Sequence, residues 1–134
     1  MSEEREIEAA LAANAAFYQA LAQGDYPAME ALWSASEPLL CSHPGTPALQ
    51  GRPAVMESWR AILTRPPAIE IRNPRAVVIR GLAFVTCFEQ IGETILTATN
   101  ALVWERSDWR IVFHQSGYIA PDQAEPSSPD PRLH

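Results

Sequence analysis

Lysine is absent from this chain of 134 residues, and its ten basic side chains are all arginine, set against sixteen acids for a formal charge of −6. That balance argues against electrostatic capture of nucleic acid. Cysteine is scarce too. Cys41 and Cys87 make no disulfide framework, and no Cys-x-x-Cys or paired His/Cys spacing points to structural zinc. Three histidines, at 43, 114 and 134, have no local spacing and supply no metal ligand set. With only six glycines there is no glycine-rich phosphate loop, and no Gly-x-Ser-x-Gly elbow occurs. No apolar run approaches the ~20 residues that span a bilayer, and the acidic start Met1-Ser2-Glu3-Glu4-Arg5-Glu6 is the reverse of a signal peptide. A cytoplasmic protein with reduced thiols and no membrane or nucleic-acid partner is expected.

What is present is enough for one hydrophobic core, since 47% of the residues are apolar and chains of this length normally form one domain. The acids concentrate at the two ends, leaving a nearly neutral body that holds all the aromatics between Phe17 and Tyr118. A single domain over 1–118 and a proline-rich disordered tail over 119–134 follow.

Ile7, Leu11, Asn14, Tyr18 and Leu21 recur at helical spacing in Ala-rich sequence, and Gly24 closes the helix. Asp25 as N-cap and Pro27 at the first turn open a second helix over 26–33. A short strand at 38–41, a loop His43-Pro44-Gly45-Thr46-Pro47, and a third helix opened by Gly51-Arg52-Pro53 and stopped by Pro66-Pro67 come next. From Ile69 the period becomes two, with strands expected at 69–72, 76–80, 82–91, 94–106 and 109–118. Gly92-Glu93 and Ser107-Asp108 read as hairpin turns. Helices first and strands second predict an α+β fold, with helices on one face of a curved antiparallel sheet.

Several polar side chains interrupt apolar faces. Asn14 and Tyr18 share the first helix's apolar stripe, and a buried amide without a partner costs about 1–3 kcal/mol, so Asn14 is either a satisfied core amide or pocket lining. Asn100 breaks the strand face Leu96, Ala98, Leu102, Trp104, as a sheet-bound amide or a convergent pocket contact. In the last strand strict alternation puts Trp109, Ile111, Phe113 and Gln115 on one face and His114 on the other, so Gln115 or His114 faces the interior, but not both. His43 is the most capable acid or base, although a lone loop histidine is more often structural. The two thiols lie among apolar neighbours and read as core fillers. Arg60, Arg65, Arg72, Arg75 and Arg80 face a single acid, Glu70, which suits a charged strand edge.

Ser42-His43-Pro44-Gly45, then Gly51-Arg52-Pro53-Ala54-Val55 with Ser58-Trp59, then the closing run from Asp108-Trp109-Arg110-Ile111-Val112 to Gly117, resemble the nuclear transport factor two-like superfamily. Within it the likeness is to SnoaL-like proteins and the association domain of calcium/calmodulin-dependent kinases. The resemblance implies a cystatin-like, cone-shaped curved antiparallel sheet wrapped around the N-terminal helix, a pocket at the open end and a homodimer through the outer sheet face. Fold does not carry function in this superfamily. Ketosteroid isomerases in it place a base Asp before a proline, where this chain has His43-Pro44. Tyr18 matches their oxyanion tyrosine, and Asn100 falls in the region of their acid. The kinase association domain's pocket arginines correspond to Leu102 and Gln115, which counts against an acid-binding pocket of that kind. With no kinase domain in these residues, a hub role in that enzyme is not expected.

The expectation is therefore a small, mostly neutral organic ligand in an apolar pocket lined by Asn14, Trp33, Trp59 and Gln115, with His43, Tyr18 and Asn100 as catalytic groups for cofactor-free proton transfer of isomerase, dehydratase or cyclase type. The alternative is a non-catalytic dimerisation or protein-interaction module whose interior is filled by Trp33 and Trp59.

Overall fold

The computed structural model describes residues 2–120 and 123, so most of the expected disordered tail lies outside the described residues. Three helices, α1 (Glu3–Gln23), α2 (Tyr26–Leu32) and α3 (Arg52–Ile62), combine with six strands: β1 (Leu40–Ser42), β2 (Leu49–Gln50), β3 (Ile69–Ile79), β4 (Leu82–Ile91), β5 (Thr94–Glu105) and β6 (Asp108–Tyr118). The strands form one curved open sheet in the order β2-β1-β6-β5-β4-β3, antiparallel except where β1 runs parallel to β6. This is the expected α+β architecture, with α1 packed against the sheet. Among the described residues no helix is long and apolar enough to cross a membrane.

Local chemistry sets the helix ends. The Ser2 hydroxyl accepts from Arg5 N at 3.3 Å, and Asp25 Oδ1 accepts from Ala28 N at 3.1 Å, each satisfying a backbone donor that the helix leaves free. Gly24 ends α1 at φ 66°, where a Cβ would stand 2.9 Å from the Leu63 carbonyl oxygen, so conformation and close approach both require glycine. Beyond it α2 runs to Leu32. Trp33 then bridges Ile111 of β6, while Ser34 N donates to the Ile111 carbonyl at 2.9 Å. Glu105 fastens the next turn by accepting from the Ser34 and Ser36 hydroxyls and Ala35 N. Arg52 reaches the Ser34 carbonyl at 2.8 Å. Trp33 is thereby held under the sheet.

Three local expectations need correcting. The runs at 69–72 and 76–80 form one strand, because Asn73 and Pro74 make a bulge where the register steps from Arg72↔Phe88 to Arg75↔Thr86, with Asn73 at φ 52°. The β5–β6 turn is Arg106-Ser107, one residue earlier than expected, and both residues have positive φ, as a two-residue hairpin of primed type demands. The third correction lies in β6. Ala101 pairs with Phe113 but Leu102 pairs with Ile111, so Val112 has no partner. An extra residue reverses the alternation, and the inward set becomes Trp109, Ile111, His114 and Ser116.

The core lies between α1, α3 and the sheet, around Phe17, Met29, Trp33, Trp59, Val85, Leu102 and Ile111. The other sheet face leaves Val77, Ile79, Leu82 and Phe84 exposed.

Candidate functional site

Parallel pairing of β1 with β6 sets Cys41 beside His114 and Ser42 beside Gln115, so the loop leaving β1 carries His43 alongside the inward-facing histidine of β6. A turn fixes that loop: Thr46 donates to the His43 carbonyl through its backbone N at 3.1 Å and its hydroxyl at 3.0 Å. The His43 ring turns inward, edge-on to Trp59 at a centroid distance of 4.8 Å and 6.4 Å from the His114 ring. Phe17 and Trp59 complete the surround of His114, at 5.0 and 5.6 Å. Trp33 packs 6.3 Å from Trp59.

Hydrogen bonding assigns the protons. The Ser58 hydroxyl gives its only hydrogen to the Val55 carbonyl at 2.7 Å, so its contact with His43 Nε2 at 2.9 Å makes the imidazole the donor. The neutral His43 ring then has its lone pair on Nδ1. His114 Nδ1 meets Asn100 Oδ1 at 2.7 Å, and Asn100 Nδ2 donates to Asn14 Oδ1 at 2.7 Å. His114 is therefore protonated on Nδ1, and the relay joins β6, β5 and α1. Its last member, Asn14 Nδ2, is buried without a hydrogen-bond partner, as are the indole N–H groups of Trp33 and Trp59.

A second polar cluster lies beside the first. Tyr18 donates to Glu89 Oε2 at 2.5 Å, Ser116 donates to Glu89 Oε1 at 2.5 Å, and the Cys87 thiol reaches the Tyr18 hydroxyl at 3.6 Å. Burial dominates the electrostatics throughout. It lowers the pKa of His43, and it lowers that of His114 to about 3 with help from the neighbouring His43 charge. Burial raises Glu89 against the opposing hydrogen bonds from Ser116 and Tyr18, and it raises Tyr18, reinforced by the Glu89 charge. The thiols of Cys41 and Cys87 are pushed up to about 12 and 11, which makes them inert packing groups rather than nucleophiles.

Asn14, Trp33, Trp59 and Asn100 thus gather with His43 in one interior cluster. Tyr18 is buried too, but its hydroxyl is committed to Glu89, and both ends of the Asn100 amide are engaged, so neither is a free oxyanion donor in this state. Gln115 is exposed on the opposite face, and His114 takes the inward place, because of the bulge at Val112. Glu89 and Ser116 were missed. For Glu89 the signal was available, since Ala83, Val85, Cys87 and Glu89 follow the buried parity of β4. For Ser116 and His114 it was not, because nothing in the local sequence marks the bulge. Among the described residues no group of three or more His, Cys, Asp or Glu is placed to hold a metal ion.

Comparison with known proteins places this chain in a family. A model of the SnoaL-like domain matches residues 10–121, and the chain belongs to that family. A protein proposed to be a dehydratase of the NTF2-like family, from Streptomyces avermitilis, superposes with a TM-score of 0.82 at 24% identity over 89% of this chain and 99% of its own. A proposed calcium/calmodulin-dependent protein kinase type II association domain from Thiobacillus denitrificans gives 0.69 at 26% identity, covering 81% of this chain and 94% of its own. A proposed ketosteroid isomerase from Parabacteroides distasonis gives 0.66 at 16% identity, over 81% and 86%. The search of curated proteins found no match.

The two depressed histidines set the sign of an acid effect. His114 binds a proton far less readily folded than unfolded, so its share of stability is present above about pH 6.5 and is lost as pH falls toward 3, by at most about 1.4 kcal/mol per pH unit. Glu89 acts in the opposite sense, favouring the fold below the ordinary carboxylate range and costing stability as pH rises through it. Urea unfolding between pH 7 and 5 should therefore show a steeper fall for the wild type than for His114→Gln. Equal slopes would contradict the burial of a neutral imidazole there.

Proposed function

We propose that this SnoaL-like domain binds a small, mostly neutral organic molecule bearing a carbonyl or hydroxyl group at the His43–Trp59–His114 cluster, and moves a proton on it without a cofactor. One observation carries the reading: a neutral imidazole with a free lone pair stands in an apolar surround beside three buried N–H groups that have no partner. An inert core gains nothing from this arrangement, since each orphaned donor costs about 1–3 kcal/mol. A ligand oxygen reaching one of them would satisfy it. His43 Nδ1 would take a proton from the carbon next to the carbonyl, while Trp59, Trp33 or Asn14 N–H groups receive the charge that grows on oxygen. Return of that proton to another carbon gives isomerisation; attack of the enolate carbon on a second carbonyl carbon of the same ligand, whose oxygen then takes the proton from His43, gives cyclisation; and departure of a β-hydroxyl as water with that proton gives dehydration. The proposed dehydratase and isomerase among the structural relatives support this class of reaction only by analogy of fold. In this assignment Glu89 and Tyr18 are a buried acid pair flanking the site, and Asn100 orients His114.

A second reading has its own support. Trp33 and Trp59 are 2% and 1% exposed and fill the interior, as a non-catalytic interaction module would have it. In either case we propose a cytoplasmic homodimer, both cysteines being free thiols and the outer face exposing Val77, Ile79, Leu82 and Phe84 as a continuous apolar patch on β3 and β4.

Thermal unfolding against small cyclic ketones and β-hydroxy carbonyl compounds separates the two readings. A ligand should raise the midpoint of the wild type. In heavy water the protein should speed exchange at the carbon beside that ligand's carbonyl, and His43→Gln should slow it by about 100-fold or more. No midpoint shift with any compound would favour the module. For the dimer, Phe84→Asp should convert the sedimentation coefficient from that of two chains to that of one. A wild type that sediments as a monomer at micromolar concentration would overturn the pairing.

A further inference from the structure

Trp104 and Trp109 stand apart from the interior cluster. They pair across the β5–β6 hairpin with ring centroids 5.3 Å apart at 75°. Trp109 is buried and Trp104 is 41% exposed. Together with Glu6 near the start of α1 and Gly81 at the β3–β4 turn, they border a cavity of about 420 Å³. Both tryptophans share the parity of Leu102 and Ile111, so the cavity opens on the helix side of the sheet and away from Val77 and Phe84. Four residues of β6 lie between Trp109 and His114, which puts them roughly 15 Å apart along the strand and makes this a second place in the molecule.

Among the described residues, the side chains that border it are the two indoles and Glu6. An edge-to-face tryptophan pair could serve only to seal the end of the core, yet three features go beyond that. The Trp109 indole N–H is buried with no protein partner. Trp104 borders the cavity and keeps 41% of its surface exposed although its ring packs on Trp109. The acid bordering it belongs to a helix turn rich in acids, with Glu3 and Glu4 beside Glu6 and only Arg5 against them. An anion would be repelled by that turn, and a neutral apolar molecule would leave the carboxylate without a role. A small organic cation engages both wall chemistries, because indole rings attract positive charge through their quadrupole. Arg80 and Arg106 flank the two turns as exposed side chains, where salt screens their charge, and neither borders the cavity.

We propose that this cavity binds a small alkylated ammonium ion, with its charge against the Trp104 and Trp109 rings and the Glu6 carboxylate. The site is independent of the His43 cluster.

Choline is the probe, and its uncharged isostere 3,3-dimethylbutan-1-ol is the control. Calorimetric titration of the full chain at physiological salt should show saturable choline binding in the millimolar range or tighter, and binding of the isostere at least about tenfold weaker. Trp104→Ala should weaken choline binding by about fivefold or more, and Glu6→Gln, a mild change in the first turn of α1 outside its buried positions that leaves folding intact, by about threefold or more. The Trp109 indole N–H resonance should move on titration, and His43→Gln should bind choline as the wild type does. Equal affinity for the isostere, no loss in Glu6→Gln, or loss in His43→Gln would each overturn the proposal, as would the absence of saturable binding.

Discussion

The relay from His114 through Asn100 to Asn14 is the constraint on which the interior depends. It ties two strands and the central helix through side chains that are 2%, 1% and 0% exposed. Buried amides and imidazoles stabilise a fold only while every partner stays in register, because in a low-dielectric interior an unmade hydrogen bond costs more than a made one contributes. Shifting α1 by one residue would move Asn14 off the sheet and leave Asn100 Nδ2 unpaired. The relay thus makes the seating of α1 specific where the small side chains around it, such as Ala10 and Ala20, would tolerate sliding.

That constraint rests in turn on a backbone irregularity. Without the unpaired Val112, His114 would face outward and Gln115 would enter the core. The bulge also leaves Ser116 facing inward, where it meets Glu89, so one extra residue positions members of both polar clusters. The chemistry follows from the burial that results. Removing His43 and His114 from water favours their neutral forms, which is the state a base needs at neutral pH, while the same burial holds Glu89 toward its protonated form. Groups with opposed shifts lying within one interior are the usual makings of acid and base assignments.

The legible parts of the fold were those decided by neighbours in the chain. Gly24, Asp25 and Pro27 mark the α1–α2 junction through backbone geometry that only such residues favour, and the period-two pattern of β5 puts Leu96, Ala98, Asn100 and Leu102 inward as read. The family likeness carried by His43-Pro44-Gly45 and the closing strand supplied the sheet's curvature, which no local rule gives. The illegible parts depended on pairing. The bulges at Asn73-Pro74 and Val112 exist because of the strands opposite them, and the hydrogen bonds that occupy Tyr18 and Asn100 come from residues 71 and 14 positions away. Asn14 lay open between core amide and pocket lining; its oxygen is satisfied within the core and its nitrogen is buried without a partner.

The catalytic reading of the interior turns on the protonation of two imidazoles. Nitrogen-15 spectra of the histidine rings measure this directly. At pH 7 the proposed site requires His43 neutral with its proton on Nε2 and His114 neutral with its proton on Nδ1, the latter staying uncharged as the pH is lowered through 5. A His43 imidazolium at pH 7, or a His43 proton on Nδ1, would take the basic lone pair from Nδ1 and contradict the assignment of His43 as the base, while a charged His114 would contradict its burial as a neutral imidazole.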